Sequence, residues 1–250
     1  MARIADRMIN FVISILLIGA ACYAGYALWD TWSVLDGAKA VQRKLLPYKP
    51  TETEDLEASF DQLLKINPDV CAWITIDNTG IDYPVVQGET NFDYLSVDVY
   101  GDHSSGGSIF LDCGNSRGLR DDYSILMGHH MQGGAMFGDV DLFRDEQFFR
   151  ANYTGSLHAP DRSMRLEIVS IIQADAYDRA IYGVPITTEN GKAALISRID
   201  ELALYTRGDP LGMGDQIIAL STCSSDYTNA RLLLICRVTG ESKAEEGSED

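Results

Sequence analysis

In the stretch Ala219 to Ile235, ALSTCSSDYTNARLLLI, a cysteine closes one apolar run and an arginine opens the next. Read as two antiparallel strands joined by a polar loop, it sets Cys223 and Arg231 on the two lips of one hairpin, neighbours at the rim of a sheet. An adjacent cation favours thiolate over thiol, and a backbone N–H just after the cysteine could face a developing oxyanion. Arginine stays charged at any physiological pH, and its fork of donors can bind a carbonyl oxygen. The chemistry this pair suggests is attack by a sulfur on a carbonyl.

Such a nucleophile needs a proton donor for its leaving group, and histidine is the usual choice. The chain has four histidines. His103, in GDHSSGG, and His158, in LHAP, read as exposed loop residues. His129 and His130 follow the strand-like YSILMG, at another strand end. Successive residues of an extended chain point to opposite sides, so at most one of the two faces the thiol. The pair could instead hold a metal with Asp139 and Asp141, but the ligand spacing is irregular and the two rings diverge. The bland reading keeps its place too: a lone cysteine is more often structural than catalytic, and an arginine opening a strand is usually a surface charge.

Five cysteines with no C-x-x-C pair do not make a disulfide framework. Cys22 falls in an apolar N-terminal segment. Cys71, Cys113 and Cys236 lie in strand-like apolar stretches and read as small buried hydrophobes. Cys223, followed by polar residues, is the candidate for an accessible thiol.

Short runs rich in β-branched and aromatic residues supply the scaffold: CAWITI, IDYPVVQ, GSIFLD, YSILMG, MRLEIVSIIQA, QIIALSTC and ARLLLICRV. Seven or eight strands with few helices predict a mainly β fold, a closed or nearly closed barrel with helical decoration. Residues 192–205, KAALISRIDELALY, read as a helix with Leu195, Ile199, Leu202 and Tyr205 on its core face; Phe143 to Tyr153 reads as a shorter one. Ahead of the barrel, residues 30–46 have helical spacing with a break at Gly37, ended by Pro47 to Pro50. A further helix opens at Thr53, buries Leu56, Phe60, Leu63 and Leu64, and stops at Asn67-Pro68.

Met8 to Trp29 is 22 residues without a charge, long enough as a helix to cross the ~30 Å hydrocarbon core. Arg3 and Arg7 precede it, Asp30 and Asp36 follow, and Tyr23, Tyr26, Trp29 and Trp32 lie at the outer interface. The expected arrangement is a cytoplasmic N-terminus (1–7), an uncleaved anchor (8–29), a juxtamembrane helix or linker (30–52), an external domain (53–240) and an acidic, disordered tail (241–250). A cleavable signal peptide would have a shorter apolar region, and GAAC before Tyr23 only loosely resembles a lipoprotein processing site. A net charge of −17 argues against nucleic acid, whose phosphates demand a basic surface.

ALSTC with an arginine eight residues on, and GHHM…GGAMFGDVDLF about ninety residues upstream, resembles the sortase signature, specifically that of class B sortases. LLKINPDVCAWITIDNTGIDYPVVQGETNFDYL and GGSIFLDCGN are similar to the N-terminal strands of that class, so the resemblance runs roughly from Leu56 to Val238. It implies a sortase-type closed barrel with N-terminal helices and a helix before the cysteine strand, and a membrane-bound transpeptidase on the outer face of a Gram-positive-type cell. His129, Cys223 and Arg231 match the catalytic histidine, nucleophile and arginine, and His130 becomes structural. Asn91, Leu95 and Ser221 match positions that contact the sorting peptide, and Tyr177 and Tyr182 lie in the segment that builds the groove wall. The Ser224 N–H would join Arg231 at the oxyanion.

The implied partners are surface proteins bearing a C-terminal sorting signal of the N-P-x-T-x kind and an amine on peptidoglycan. The chemistry calls for no cofactor and no metal. Three other readings compete: a pilus-assembly sortase using a pilin lysine, an anchored extracellular binding domain with an inert cysteine, and a cysteine hydrolase.

Overall fold

The computed structural model describes residues 2–50, 56–224 and 228–243. Several strands are buried on both faces, which is why their sequences read as continuous apolar runs rather than alternating ones. Along Ile217–Cys223 (β8), Ile218 and Leu220 fill the barrel lumen while Ile217 and Ala219 face outward under helices. Along Ala230–Lys243 (β9), Leu232, Leu234 and Cys236 face the lumen and Leu233 and Ile235 face out.

The other strands are β1 (Val70–Ile76), β2 (Asp82–Val86), β3 (Ile109–Leu111), β4 (Tyr123–Met127), β5 (Thr154–Ala159), β6 (Arg162–Asp175) and β7 (Ala203–Thr206). The sheet order is β5-β1-β2-β3-β4-β8-β9-β6-β7, and pairing of β5 with β6 closes it. Eight strands thus form a closed barrel, and β7 hangs on the outer edge of β6. Most neighbours are antiparallel; β2–β3 and β4–β8 are parallel.

Helices cover two flanks. α1 (Ala2–Leu45) and α2 (Leu56–Ile66) close a cluster of Leu45, Phe60, Leu63, Trp73 and Phe110 over β1 and β2. After α3 (Glu146–Ala151), α4 (Arg179–Tyr182) and α5 (Glu189–Leu202) cover the outer faces of β4, β8 and β9.

Several expectations change. α1 runs unbroken through Gly37: a single helical glycine costs only about 1 kcal/mol, and the next residue, Ala38, is buried against the barrel. The helix expected to open at Thr53 is described from Leu56, because residues 51–55 lie outside the described ones; Leu64 is half-buried rather than core. Tyr205 belongs to strand β7, since the helix ends at Leu202 and the chain pairs with β6. His158 is no loop residue: it sits buried in β5, Nδ1 2.7 Å from Ser163 Oγ. Cys113 is exposed in the turn after β3. The segment expected as tail begins inside β9, which runs to Lys243; residues 244–250 lie outside the described ones.

α1 has 44 residues, about 66 Å at ~1.5 Å per residue. Its apolar N-terminal part is long enough to cross a membrane and none of it is buried in the fold. Its C-terminal part is pinned to the barrel: Gln42 Nε2 donates to the carbonyls of Gly80 and Asp82 at 2.9 and 3.1 Å, and Leu45 is buried.

Candidate active site

Register decides which side chains meet. β8 and β9 pair with Cys223 opposite Arg231. β4 and β8 run parallel with Met127 opposite Ser221, and the Gly128 N–H, donating to the Ser221 carbonyl at 3.1 Å, carries the ladder one residue further. His129 therefore stands level with Cys223, and three adjacent strands present an imidazole, a thiol and a guanidinium side by side. Their parity is that of Tyr123 and Ile125, Ile217 and Ala219, and Leu233 and Ile235, all covered by α4 and α5. All three stand on the outer face of the barrel, at the open end of the cluster the two helices cover.

The cleft they line has a volume of about 310 Å3 and is walled by Asn91, Leu95, Asp112, Ala176, Tyr182 and Ser221. Of the residues the sequence pointed to, Cys223 is exposed, His129 and Arg231 half-buried, and Ser221 buried at the cleft floor. Tyr177 does not line the cleft and is 77% exposed. The Ser224 N–H is not available for an oxyanion, because it donates to the Ala230 carbonyl at 2.9 Å and so closes the hairpin. Residues 225–227 of the loop between Cys223 and Arg231 lie outside the described ones.

His129 Nε2 lies 2.8 Å from the Leu95 carbonyl oxygen. A carbonyl can only accept, so Nε2 carries a proton and Nδ1 is the nitrogen left to exchange one. His130 goes elsewhere, its Nε2 2.6 Å from Asp141 Oδ2. The intervening glycines make this path possible. A Cβ on Gly128 would overlap Ile109 Cδ1 and lie 2.9 Å from Phe137 Cδ2, and one on Gly138 would overlap the Met131 carbonyl. The strap from His129 to Gly138 folds back on itself, with the Phe137 N–H donating to the His129 carbonyl at 3.1 Å.

On the opposite wall, Tyr182 and Ser221 share a hydrogen bond of 2.8 Å. Burial pushes the Tyr182 hydroxyl up to about 12, although the Ser221 hydrogen bond and the Arg231 cation both pull it down, so it stays a neutral phenol in the working range. α4 is held by Asp178, whose carboxylate accepts from the Ala180 N–H at 3.0 Å and pairs with Arg198 Nε at 2.7 Å. The Asn91 amide is fixed at both ends: Nδ2 donates to Asp112 Oδ2 and Oδ1 accepts from the Cys113 N–H, each 2.8 Å. The Leu95 carbonyl is the contribution sequence reasoning missed, since a backbone acceptor leaves no mark in residue type.

No family model matches the chain. It aligns with sortase B of Listeria monocytogenes over 235 residues at 28% identity, covering 89% of this chain and 93% of that protein. Among solved structures, sortase B of Clostridium perfringens is 32% identical with a TM-score of 0.67, over 71% of this chain and 98% of that one. A class B sortase of Streptococcus pyogenes involved in pilus biogenesis is 36% identical with a TM-score of 0.65, over 72% of this chain and 97% of that one. The chain belongs to the class B sortases, a family of cysteine transpeptidases.

Proposed function

We propose that the protein cuts a C-terminal sorting signal of the N-P-x-T-x kind after its threonine and joins the new acyl end to an amine of the cell wall. The single observation that carries this reading is the register of β4, β8 and β9, which sets His129, Cys223 and Arg231 level on one open cleft. Cys223 sulfur attacks the threonine carbonyl while the Arg231 guanidinium takes the charge that develops on the oxygen. His129 Nδ1 protonates the departing amine, leaving a thioester. An incoming amine then bonds to the thioester carbon, gives a proton to Nδ1, and releases the Cys223 thiolate. With the Ser224 N–H engaged in the hairpin, Arg231 carries the oxyanion role assigned to it.

The peptide lies in the cleft between the Asn91–Leu95 turn and Tyr182, with Ser221 beneath it. α1 crosses the membrane through residues 8–29 with residues 1–7 inside and the catalytic domain, residues 53–240, outside. Substrates that carry their own membrane segment then meet the enzyme on one surface, which raises their effective concentration.

A second reading of the acceptor, a lysine side chain of a pilin, is favoured by the 36% identity to the S. pyogenes pilus-biogenesis sortase. The test is a pentapeptide library incubated with the protein, followed by a panel of amines, with products read by mass spectrometry. The proposal expects a threonine-terminated acyl product joined to cell-wall cross-bridge peptides in preference to pilin lysine peptides. The reverse preference would move the acceptor to pilins, and free acid alone under saturating amine would make the protein a hydrolase.

A further inference from the structure

A second groove, of about 360 Å3, shares His129 with the cleft and none of its other lining residues. It runs between α1 and the strap after β4 and is walled by Asp30, Val34, Leu35, Ser105, His130 and Gln132. The wall is built in, because Ala38 packs at Gly106 and Gln42 fixes the next turn of α1 to the barrel. We propose that this groove is the route by which the acceptor's primary amine reaches the thioester, an inference that rests on the transpeptidase reading above.

Transfer requires the amine to arrive while the acyl peptide still occupies the first cleft. Two substrates then need separate approaches that meet at the group handling both protons, and His129 is the residue common to the two spaces. An amine travels through neutral water as an ammonium ion. The groove offers it the exposed Asp30 carboxylate and the His130 ring, which is bonded to the Asp141 carboxylate at 2.6 Å. Val34 and Leu35 give its carbon stem an apolar wall. Lys39 of α1 lies against Gly133 and does not line the groove. At His129 the ammonium gives up one proton to solvent, the free amine nitrogen bonds to the thioester carbon, a second proton passes to Nδ1, and the carbon–sulfur bond breaks with its electrons going to Cys223. Asp30 also follows directly on the uncharged segment ending at Trp29, so the groove opens where an acceptor carried on a membrane-bound molecule would approach.

The test uses the full-length protein in detergent micelles, a threonine-containing sorting peptide and triglycine amide as the amine probe. The readout is the ratio of amide to free acid formed from the thioester, which is independent of how fast the thioester forms. Val34→Trp, which fills the groove, is expected to lower the ratio about tenfold, since a blocked approach leaves water as the competing nucleophile. Asp30→Asn, which keeps the shape, is expected to raise the amine concentration for half-maximal transfer about threefold, the scale of one exposed ion pair. An unchanged ratio in Val34→Trp together with an unchanged half-saturation in Asp30→Asn would overturn the assignment. Failure of the unsubstituted protein to form any thioester would instead bring down the transpeptidase reading, and the groove with it.

Discussion

Each of the three side chains proposed to react has a separable task, and single substitutions expose it. Replacing Arg231 by Ala removes the donor proposed to face the developing oxyanion, so acylation is expected to fall by about 10^2–10^3-fold, the scale for losing one preorganised donor. Arg231→Lys keeps the charge without the fork and is expected to recover only part of that, in a stopped assay of leaving-peptide release. Tyr182→Phe leaves Ser221 Oγ without its 2.8 Å partner, a loss of about 1 kcal/mol. That change is expected to appear in KM for the sorting peptide with kcat little altered. At this scale the sequence was most legible where residue type marks a site: Cys223, Arg231 and the first of two adjacent histidines do line one cleft. It was silent on the Leu95 carbonyl, which selects the proton-bearing nitrogen of His129. It also misjudged the Ser224 N–H, because only the hairpin's own ladder shows that this donor is taken.

The elements do their work through close approach. Gly128 and Gly138 bracket the strap that carries His129, and their clashes differ in kind. A methyl group at residue 128 meets the flexible end of Ile109 and the Phe137 ring, whereas one at residue 138 meets backbone. Gly128→Ala is therefore expected to cost about 1–3 kcal/mol of stability by overpacking, with recovery in the double variant carrying Ile109→Val. Gly138→Ala is expected to gain nothing from any side-chain trimming, and urea unfolding midpoints of each glycine variant, alone and combined with Ile109→Val, check both statements. Equal recovery of the two glycine variants by Ile109→Val would contradict this account. The strands that build the rim were visible as β-branched runs, and the two-sided burial of β8 and β9 explains why those runs lack alternation. β5 and β7 were not visible. THE segment TGSLHA is weakly apolar, and ALYT continues a helical pattern until its pairing with β6 overrides it.

At the scale of the molecule, burial of ionisable groups sets an alkaline limit. Cys71 is pushed from 9.0 up to about 12 by burial, Tyr83, Tyr94 and Tyr182 from 10.0 up to about 12, and burial raises Cys236 and Tyr123 as well. The folded chain holds these protons where the unfolded chain has lost them. Their contribution is complete below about pH 9 and falls away as pH rises through 12. The urea midpoint is thus expected to decline steadily above pH 9, and Cys71→Val to flatten the onset of that decline. The proposed anchoring acts on the same scale. A protein lacking residues 1–29 is expected to turn over short peptides as the full chain does but to lose its advantage on a membrane-anchored substrate in vesicles. Equal turnover of both substrates by both proteins would remove any role for tethering. The apolar segment was plain in the sequence, but its fusion with the juxtamembrane helix into one α1 was not, since Gly37 reads as a break until the packing of Ala38 is seen.

In the proposed mechanism Cys223 forms the acyl bond. Intact-protein mass spectrometry of the full chain, quenched in acid within seconds of adding a sorting peptide, tests it directly. The expected result is a mass increase equal to the threonine-terminated acyl fragment, mapped by digestion to Cys223, absent from Cys223→Ala and discharged by added amine. An adduct mapped to the other exposed thiol of the barrel, Cys113, or full turnover by Cys223→Ala, would contradict the account.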